Sequence, residues 1–168
     1  ILGVSSAQTA NQVVWEPKNG PVGGYIHEIE NDDASGRTFA IAGELRSLYV
    51  SSDDANSWTR YDPSNNFTYF NDIEIANGTI YLTTSYDVWT STNSGESWSK
   101  ISSDQTQFHN ANRIKRLSSG RLVVLGNTAV HFSVNNGTSW TTGWTSSMMT
   151  KYFVKSSSDL LFVISDQK

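Results

Sequence analysis

Three polar pairs stand where three apolar strands are expected to begin, and they contain the chain's candidates for acid–base chemistry. The pairs are His27 and Glu28, Asn71 and Asp72, and Asn112 and Arg113. Hydrolysis of a glycosidic bond needs two carboxylates across a sugar, about 5–10 Å apart. Glu28 and Asp72 would form such a pair on neighbouring strands, although ordinary solvated loop carboxylates explain them equally well. Glu28 and Asp72 are therefore candidate catalytic residues, and Arg113 is a candidate binding residue.

Other catalytic or metal chemistry has less support in the sequence. The histidines His27, His109 and His131 lie far apart without ligand spacing, and His131 is expected to be a packed or edge residue of a strand. The acidic pairs Asp32-Asp33 and Asp53-Asp54 do not form an EF-hand pattern. Cysteine is absent, which excludes disulfides and thiolate ligands in this chain. We predict no metal site and no cofactor.

Two aromatic residues are candidates for binding. Tyr86 lies in the Ser85–Asp87 loop, and Trp144 follows Thr142-Gly143. Exposed aromatic rings suit both sugar rings and protein partners. The alternative is that each ring folds back over a neighbouring part of the sheet.

The elements that position these residues are repeated. One eight-residue phrase occurs as SSDDANSW at 51–58, STNSGESW at 91–98 and SVNNGTSW at 133–140. The equivalent residues Asp53, Asn93 and Asn135 are 40 and 42 residues apart. A period near 40 residues is typical of propeller blades.

Each phrase is interpreted as a tight hairpin turn. Gly95 and Gly137 supply positive φ, whereas Ala55 stands in that position in the first copy, so the first turn is expected to be strained or redrawn. The tryptophan that closes each phrase is expected to start a strand and to pack across the hairpin. The structural residues are Ser51, Asp53 and Trp58, then Ser91, Asn93, Gly95 and Trp98, then Ser133, Asn135, Gly137 and Trp140.

The phrase resembles the Asp box, or BNR repeat, of pattern Ser/Thr-x-Asp-x-Gly-x-Ser/Thr-Trp, with Asn replacing Asp in the last two copies. Asp boxes occur in propellers such as bacterial sialidases, the sortilin luminal domain, xyloglucan-cleaving hydrolases and photosystem II assembly factors of the Ycf48 type. There the box joins the third and fourth strands of a blade, away from the catalytic face. The resemblance implies an all-β propeller and leaves the function open. A sialidase would also need an arginine triad and an Arg-Ile-Pro motif, and Arg113 alone does not replace them.

The rest of each repeat predicts four-stranded antiparallel blades. Short apolar segments recur before each phrase, for example Ile26–Ile29 and Leu48–Val50 in the first repeat. The expected units are an N-terminal segment (1–24), blade 1 (25–66), blade 2 (67–108), blade 3 (109–149) and a partial blade 4 (150–168). About three and a half blades leave the ring incomplete, so we expect the rest of a longer chain, or a second copy, to close it.

Composition favours export. The chain is rich in Ser, Thr and Asn, only 17% of its residues are charged, and its net charge is −4. Residues 1–8 are expected to be a signal-peptide remnant, or Ile1–Val4 an edge strand, and Val13–Trp15 a ring-closing strand. The acidic balance argues against nucleic acid, and no apolar run has the length of a membrane span.

The sequence therefore predicts a secreted, cell-surface or periplasmic propeller module that binds a protein or glycan without catalysis. The alternative is part of a glycoside hydrolase propeller with a carboxylate pair at the channel mouth.

Overall fold

The computed structural model describes residues 18–21, 25–61, 69–102, 108, 110–146, 150–155 and 161–165. Within these ranges every helical or strand element is a β-strand. The expected signal remnant at 1–8 and the expected ring-closing strand at Val13–Trp15 lie outside the described residues.

The strands form three four-stranded antiparallel sheets and one two-stranded sheet. Blade 1 contains β1 (Ile26–Asp32), β2 (Arg37–Ala42), β3 (Ser47–Ser51) and β4 (Thr59–Tyr61). Blade 2 contains β5 (Phe70–Ala76), β6 (Thr79–Thr84), β7 (Val88–Ser91) and β8 (Ser99–Lys100). Blade 3 contains β9 (Arg113–Arg116), β10 (Leu122–Leu125), β11 (Ala129–Ser133) and β12 (Thr141–Thr145). The last sheet pairs β13 (Thr150–Lys155) with β14 (Leu161–Ser165).

The sheets are arranged as blades of a propeller. Within each blade the strands are hydrogen-bonded in chain order, as hairpin-connected antiparallel strands require. The first strands of successive blades contact each other, β1 with β5 and β5 with β9. The predicted all-β architecture of four-stranded antiparallel blades is confirmed.

The hydrophobic core lies between blades. Phe39, Ile41 and Leu48 of blade 1 are fully buried against Ile73 and Leu82 of blade 2. A second cluster joins blade 2 to blade 3 in the same way and is built from Tyr81, Val88, Phe108, Ala111, Ile114, Leu122 and Val124. The apolar face of each blade is therefore buried by the blade that follows it.

The three phrases form one kind of loop, which we call the repeat loops (51–58, 91–98 and 133–140). In the first, the Ser51 hydroxyl accepts a hydrogen bond from Ala55 N–H at 3.0 Å and donates one to Asp53 Oδ1 at 2.8 Å. Asp53 Oδ1 also accepts from Ser57 N–H at 2.9 Å. The equivalent bonds recur in the other two loops, where asparagine replaces Asp53.

Ala55 adopts the backbone of the equivalent glycines. Its φ is +62°, against +84° for Gly95 and +86° for Gly137. The hydrogen bonds of the first loop are also the same, so the loop is not redrawn. Ala55 instead adopts the left-handed conformation, which is unfavourable for a residue that carries a Cβ.

The repeat loops of blades 2 and 3 press against the blade before them. A Cβ added to Gly95 would lie 2.9 Å from Phe39 Cε1, and one added to Gly137 would lie 2.5 Å from Ile101 Cδ1. Trp98 and Trp140 pack against the same interblade clusters, and each lies directly before its strand instead of starting it as expected. Glycine is thus required at these two positions both for its φ and for its lack of a side chain.

Candidate functional site

The two ends of the blades differ in what they expose. We call the end where β1, β5 and β9 begin the upper end; it also carries the β2–β3, β6–β7 and β10–β11 turns. The repeat loops lie at the opposite, lower end, because they join the third strand of each blade to the fourth. The candidate catalytic residues and most exposed apolar side chains belong to the upper end.

The structure brings the two candidate carboxylates together around one arginine. Arg113 Nη1 lies 3.3 Å from Glu28 Oε2 and 3.4 Å from Asp72 Oδ1. Both oxygens contact the same nitrogen, so they are less than about 7 Å apart, no farther apart than the carboxylates of a glycosidase can be. The guanidinium stands between them, where the reacting sugar of a hydrolase would have to lie.

Asp72 is closed off from solvent. Its side chain is 2% exposed, and its second oxygen accepts a hydrogen bond from Ile114 N–H at 2.7 Å. Burial raises the pKa of Asp72 to about 7, against the lowering effects of the Ile114 hydrogen bond and the Arg113 charge. A carboxyl with this pKa has the acidity of a general acid, but both of its oxygens are already occupied by protein groups.

A second row of charges lies two residues further along the same strands. Lys115 Nζ contacts Glu74 Oε2 and lies 3.9 Å from Glu30 Oε1. Glu74 also accepts a hydrogen bond from Arg116 N–H at 3.1 Å, as Asp72 does from Ile114. The carboxylates of β5 thus satisfy backbone N–H groups on the first strand of blade 3. This is a structural role, and it accounts for carboxylates on the innermost strands without catalysis.

The two candidate aromatic residues have different positions. Tyr86 lies in the β6–β7 turn at the upper end and is 56% exposed, as a binding residue should be. Trp144 lies on β12 rather than in a loop and faces Val130. At the equivalent position of blade 1, Tyr61 of β4 faces Leu48 of β3. At that position of blade 2, the Ile101 N–H donates a hydrogen bond to the Val88 carbonyl.

Tyr61 and Ile101 pack into the core shared with the following blade. Trp144 therefore occupies a position that the next blade covers in this fold. Its 44% exposure reflects that position more than a ligand site.

Sequence reasoning missed the exposed side chains that surround the innermost strands. Tyr25 is 68% exposed, Leu45 59% and Tyr69 44%. Backbone hydrogen bonds join the segments in which they lie: Gly43 N–H donates to the Tyr25 carbonyl at 2.7 Å, and Phe70 N–H donates to the Arg46 carbonyl at 3.2 Å. Aligning the repeats would have revealed them, since Tyr25 and Tyr69 each directly precede the first strand of a blade.

We call Tyr25, Ile26, Leu45, Tyr69 and Tyr86 the upper apolar surface. These are five of the eight large hydrophobic residues exposed in the described part of the chain. Among the other three, Val134 lies on a repeat loop at the lower end. Exposed apolar residues concentrated at one end of the blades are typical of a binding face.

Side-chain amides hold the upper end in place beneath this surface. Asn71 accepts a hydrogen bond from Arg46 Nη1 at 3.1 Å and donates one to the Ala111 carbonyl at 3.1 Å. Asn112 donates to Asn127 Oδ1 at 3.1 Å. The β2–β3 turn of blade 1 and the segment before β9 are therefore both tied to β5 of blade 2, and that segment is tied to the β10–β11 turn, which reduces the entropy lost when a partner binds.

His131 is packed into the sheet, and His109 lies outside the described residues. His131 is buried, stacks edge-on against Phe108 at 5.1 Å, and its Nδ1 lies 3.1 Å from the Thr142 hydroxyl. Burial lowers the pKa of His131, so its ring is neutral near pH 7. Among the described residues, no group of three or more His, Asp or Glu side chains is placed to hold a metal ion. Nor do those residues include a helix with the length and apolar character needed to cross a membrane.

Comparison with protein-family models and with curated protein sequences finds no match. Solved structures do match. The structure of YCF48 bound to a D1 peptide has a TM-score of 0.72 at 18% identity, over 89% of this chain and 50% of that one. The GH74 xyloglucanase from Xanthomonas campestris has a TM-score of 0.62 at 14% identity, over 83% of this chain and 26% of that one.

An ancestral GH74 enzyme is also similar, with a TM-score of 0.59 at 18% identity, over 75% of this chain and 19% of that one. The chain thus spans half or less of the length of these structures. At such identities the likeness concerns the fold alone. Together with the three four-stranded sheets, it establishes that this chain has the β-propeller fold.

Proposed function

We propose that this chain is part of an exported, non-catalytic propeller that binds a protein or carbohydrate partner through the upper apolar surface. The observation that carries the proposal is the contrast within the upper end. The carboxylate pair is closed by Arg113, whereas Tyr25, Leu45, Tyr69 and Tyr86 are exposed.

The chemistry of the surface favours a protein segment as the partner. Tyrosine gives a large contact area at low entropic cost, and it is enriched among the residues that dominate protein interfaces. The fixed turns beneath it supply a preformed platform. The similar YCF48 structure was determined with a peptide bound, which is further support.

Two finer assignments belong to this proposal. We assign the repeat loops to the Asp-box motif, because one serine and one Asp or Asn organise all three by the same hydrogen bonds. Export is supported by the low charge content and the many Ser, Thr and Asn residues. Protease treatment of intact source cells tests it, since an exported protein is digested and a cytoplasmic one is protected.

A glycoside hydrolase is the second candidate, and one observation favours it. Glu28 and Asp72 share one arginine and lie no farther apart than glycosidase carboxylates can be, and the pKa of Asp72 is raised to about 7, which suits a general acid. For catalysis the Arg113 guanidinium would have to move aside. The Asp72–Ile114 hydrogen bond would also have to open.

One set of variants separates the two functions. Arrays of peptides and of oligosaccharides are probed with the full chain, with Tyr25→Ala/Tyr69→Ala, and with Val134→Ala as the matched exposed apolar control at the lower end. We expect peptide binding that weakens about tenfold or more in the tyrosine variant and is unchanged in the control.

Binding that is equal in all three proteins would contradict the proposal. Release of reducing sugar from xyloglucan oligosaccharides, abolished by Asp72→Asn, would establish the hydrolase instead. Binding to oligosaccharides alone, with the same tyrosine dependence, would retain the surface and change the partner.

A further inference from the structure

The outermost strand of blade 3 differs from its equivalents. β12 has five residues, whereas β4 has three and β8 has two. All three strands are largely exposed, but β4 and β8 each carry a basic residue, Arg60 and Lys100, whereas β12 has the uncharged sequence Thr-Thr-Gly-Trp-Thr. Propellers ordinarily leave only short, protected edges. A longer, uncharged, exposed edge is a place where another strand pairs.

Two residues of β12 direct their backbone groups away from β11. Ser146 N–H donates to the Thr128 carbonyl at 2.7 Å, just beyond the facing pair Ala129 and Thr145. In an antiparallel ladder this makes Ala129–Thr145 a non-hydrogen-bonded pair, so the N–H and C=O of Thr145 point away from β11. On the other side of the bulge Thr142 faces His131, and the alternation of the ladder makes this pair non-hydrogen-bonded as well, so the N–H and C=O of Thr142 also point away from β11. The edge therefore offers donors and acceptors to an added strand.

A pocket opens beside the same edge. Its volume is about 200 Å³, and it is lined by Thr142 and Thr145 of β12, by His131 and by the turn at 126–129. No charged side chain lines it, and His131 is neutral because burial lowers its pKa. Small-molecule sites have volumes of about 300–1,000 Å³, so this pocket is closer to the size of one amino-acid side chain.

We propose that β12 is a docking edge for an extended segment of a partner protein, which adds a fifth strand to blade 3 and places one uncharged side chain in the pocket lined by His131, Thr142 and Thr145. Strand addition draws its affinity from backbone hydrogen bonds and its specificity from pockets for alternate side chains. β12 supplies both requirements within four residues. The strand and its pocket share no residue with the upper apolar surface, so the inference goes beyond the proposed function.

A second copy of this chain fits the edge less well than a different partner. The side chains that a second β12 offers are threonines, glycine and Trp144. Trp144 faces Val130, on the side of the sheet opposite the His131–Thr142 pair, since successive side chains alternate between faces. Threonine alone would leave the pocket largely empty. The pocket therefore favours a partner strand with a larger uncharged side chain.

The test uses peptides selected on the intact chain. A phage library of random ten-residue peptides is selected against the full chain, and the enriched peptides are synthesised and titrated by calorimetry. Thr145→Pro removes the outward N–H without removing a bond to β11, and Thr145→Ala keeps it. We expect the proline variant to bind about tenfold or more weakly and the alanine variant to bind within about threefold of the parent.

A second measurement does not depend on how the proline variant folds. Each peptide is remade with one backbone amide methylated at a time and titrated against the unaltered chain. Methylation at alternate positions should abolish binding, because alternate amides of an added strand face the edge. Hydrogen exchange at the Thr145 amide should slow on binding.

Several results would overturn the proposal. One is the absence of any enriched peptide. Another is binding that is unaffected by Thr145→Pro and by methylation. Weakening by Tyr25→Ala/Tyr69→Ala alone would assign the peptides to the upper apolar surface, which would support the proposed function and refute this one. A dimer in solution that Thr145→Pro dissociates would make the occupant a second copy.

Discussion

Replacing Gly137 with alanine should destabilise the boundary between blades 2 and 3. The residue has a φ of +86°, and a left-handed backbone costs an alanine about 1–2 kcal/mol. The new Cβ would lie 2.5 Å from Ile101 Cδ1 and 2.9 Å from Ile101 Cβ, and the latter atom cannot rotate away. Overpacking of this kind costs about 1–3 kcal/mol. The two effects together predict a loss of about 2–5 kcal/mol in the free energy of unfolding.

Urea unfolding followed by tryptophan fluorescence and circular dichroism measures this loss. The thermal midpoint should fall by at least roughly 5 °C in a chain of this length. Gly78→Ala is the matched control, since Gly78 has a φ of +71° and an added Cβ there meets nothing within 4 Å. Gly78→Ala should show only the backbone cost, about 1–2 kcal/mol. An equal loss in the two variants would refute the reasoning that Gly137 is required by its contact with Ile101.

Three further predictions concern charge. The native pKa of Asp72, about 7, lies above its unfolded value of about 3.9, so the folded chain retains a proton between those values and the free energy of unfolding falls as pH rises through that window. Asp72→Asn should flatten this decline in urea titrations between pH 4 and 8, and an unchanged decline would contradict the assignment. Arg113→Met leaves Glu28 and Asp72 without their shared cation, so it should destabilise the chain more at pH 8 than at pH 5; equal losses at both pH values would show that the cation does not control the pair. Hydrogen bonds from Ser57 lower the pKa of Asp53 to about 2, so their contribution to stability is lost as pH falls from about 4 to 2. Asp53→Asn should keep the loop, as Asn93 does, and abolish the acid-dependent shift of the Ser57 amide resonance, whose persistence would exclude Asp53 as its cause.

The fold was predictable because its signals are local and repeated. A serine and an Asp or Asn specify each repeat loop, with a glycine in two of the three copies and Ala55 in the first, and their hydrogen bonds are formed within that loop. Trp144 was harder to place. Thr142-Gly143-Trp144 has the composition of a loop, but it forms a bulged strand whose register is set by β11. Pairing with another strand thus overrode local composition.

The candidate site was predictable only in part. Glu28 and Asp72 do come together, because equivalent strands of adjacent blades are neighbours. The repeat predicted that Arg113, 85 residues after Glu28, begins an equivalent strand, but not that its guanidinium would stand between the two carboxylates. That contact depends on side-chain packing across three blades. The exposure of Tyr25 and Tyr69 could likewise not be predicted from the residues next to them in sequence, because it depends on which turns lie beside them in the fold.

The packing of each repeat loop on the preceding blade has a consequence for synthesis of the chain. Phe39 is covered by Gly95, which a ribosome adds 56 residues later. At the usual rate of about 5–20 residues per second, that apolar face stays uncovered for about 3–11 s. A nascent chain in this interval exposes both a strand edge and a phenylalanine cluster to other chains. Slower translation would lengthen this exposure at every blade, so the yield of folded protein should depend on elongation rate and on chaperones that bind the unfinished blade.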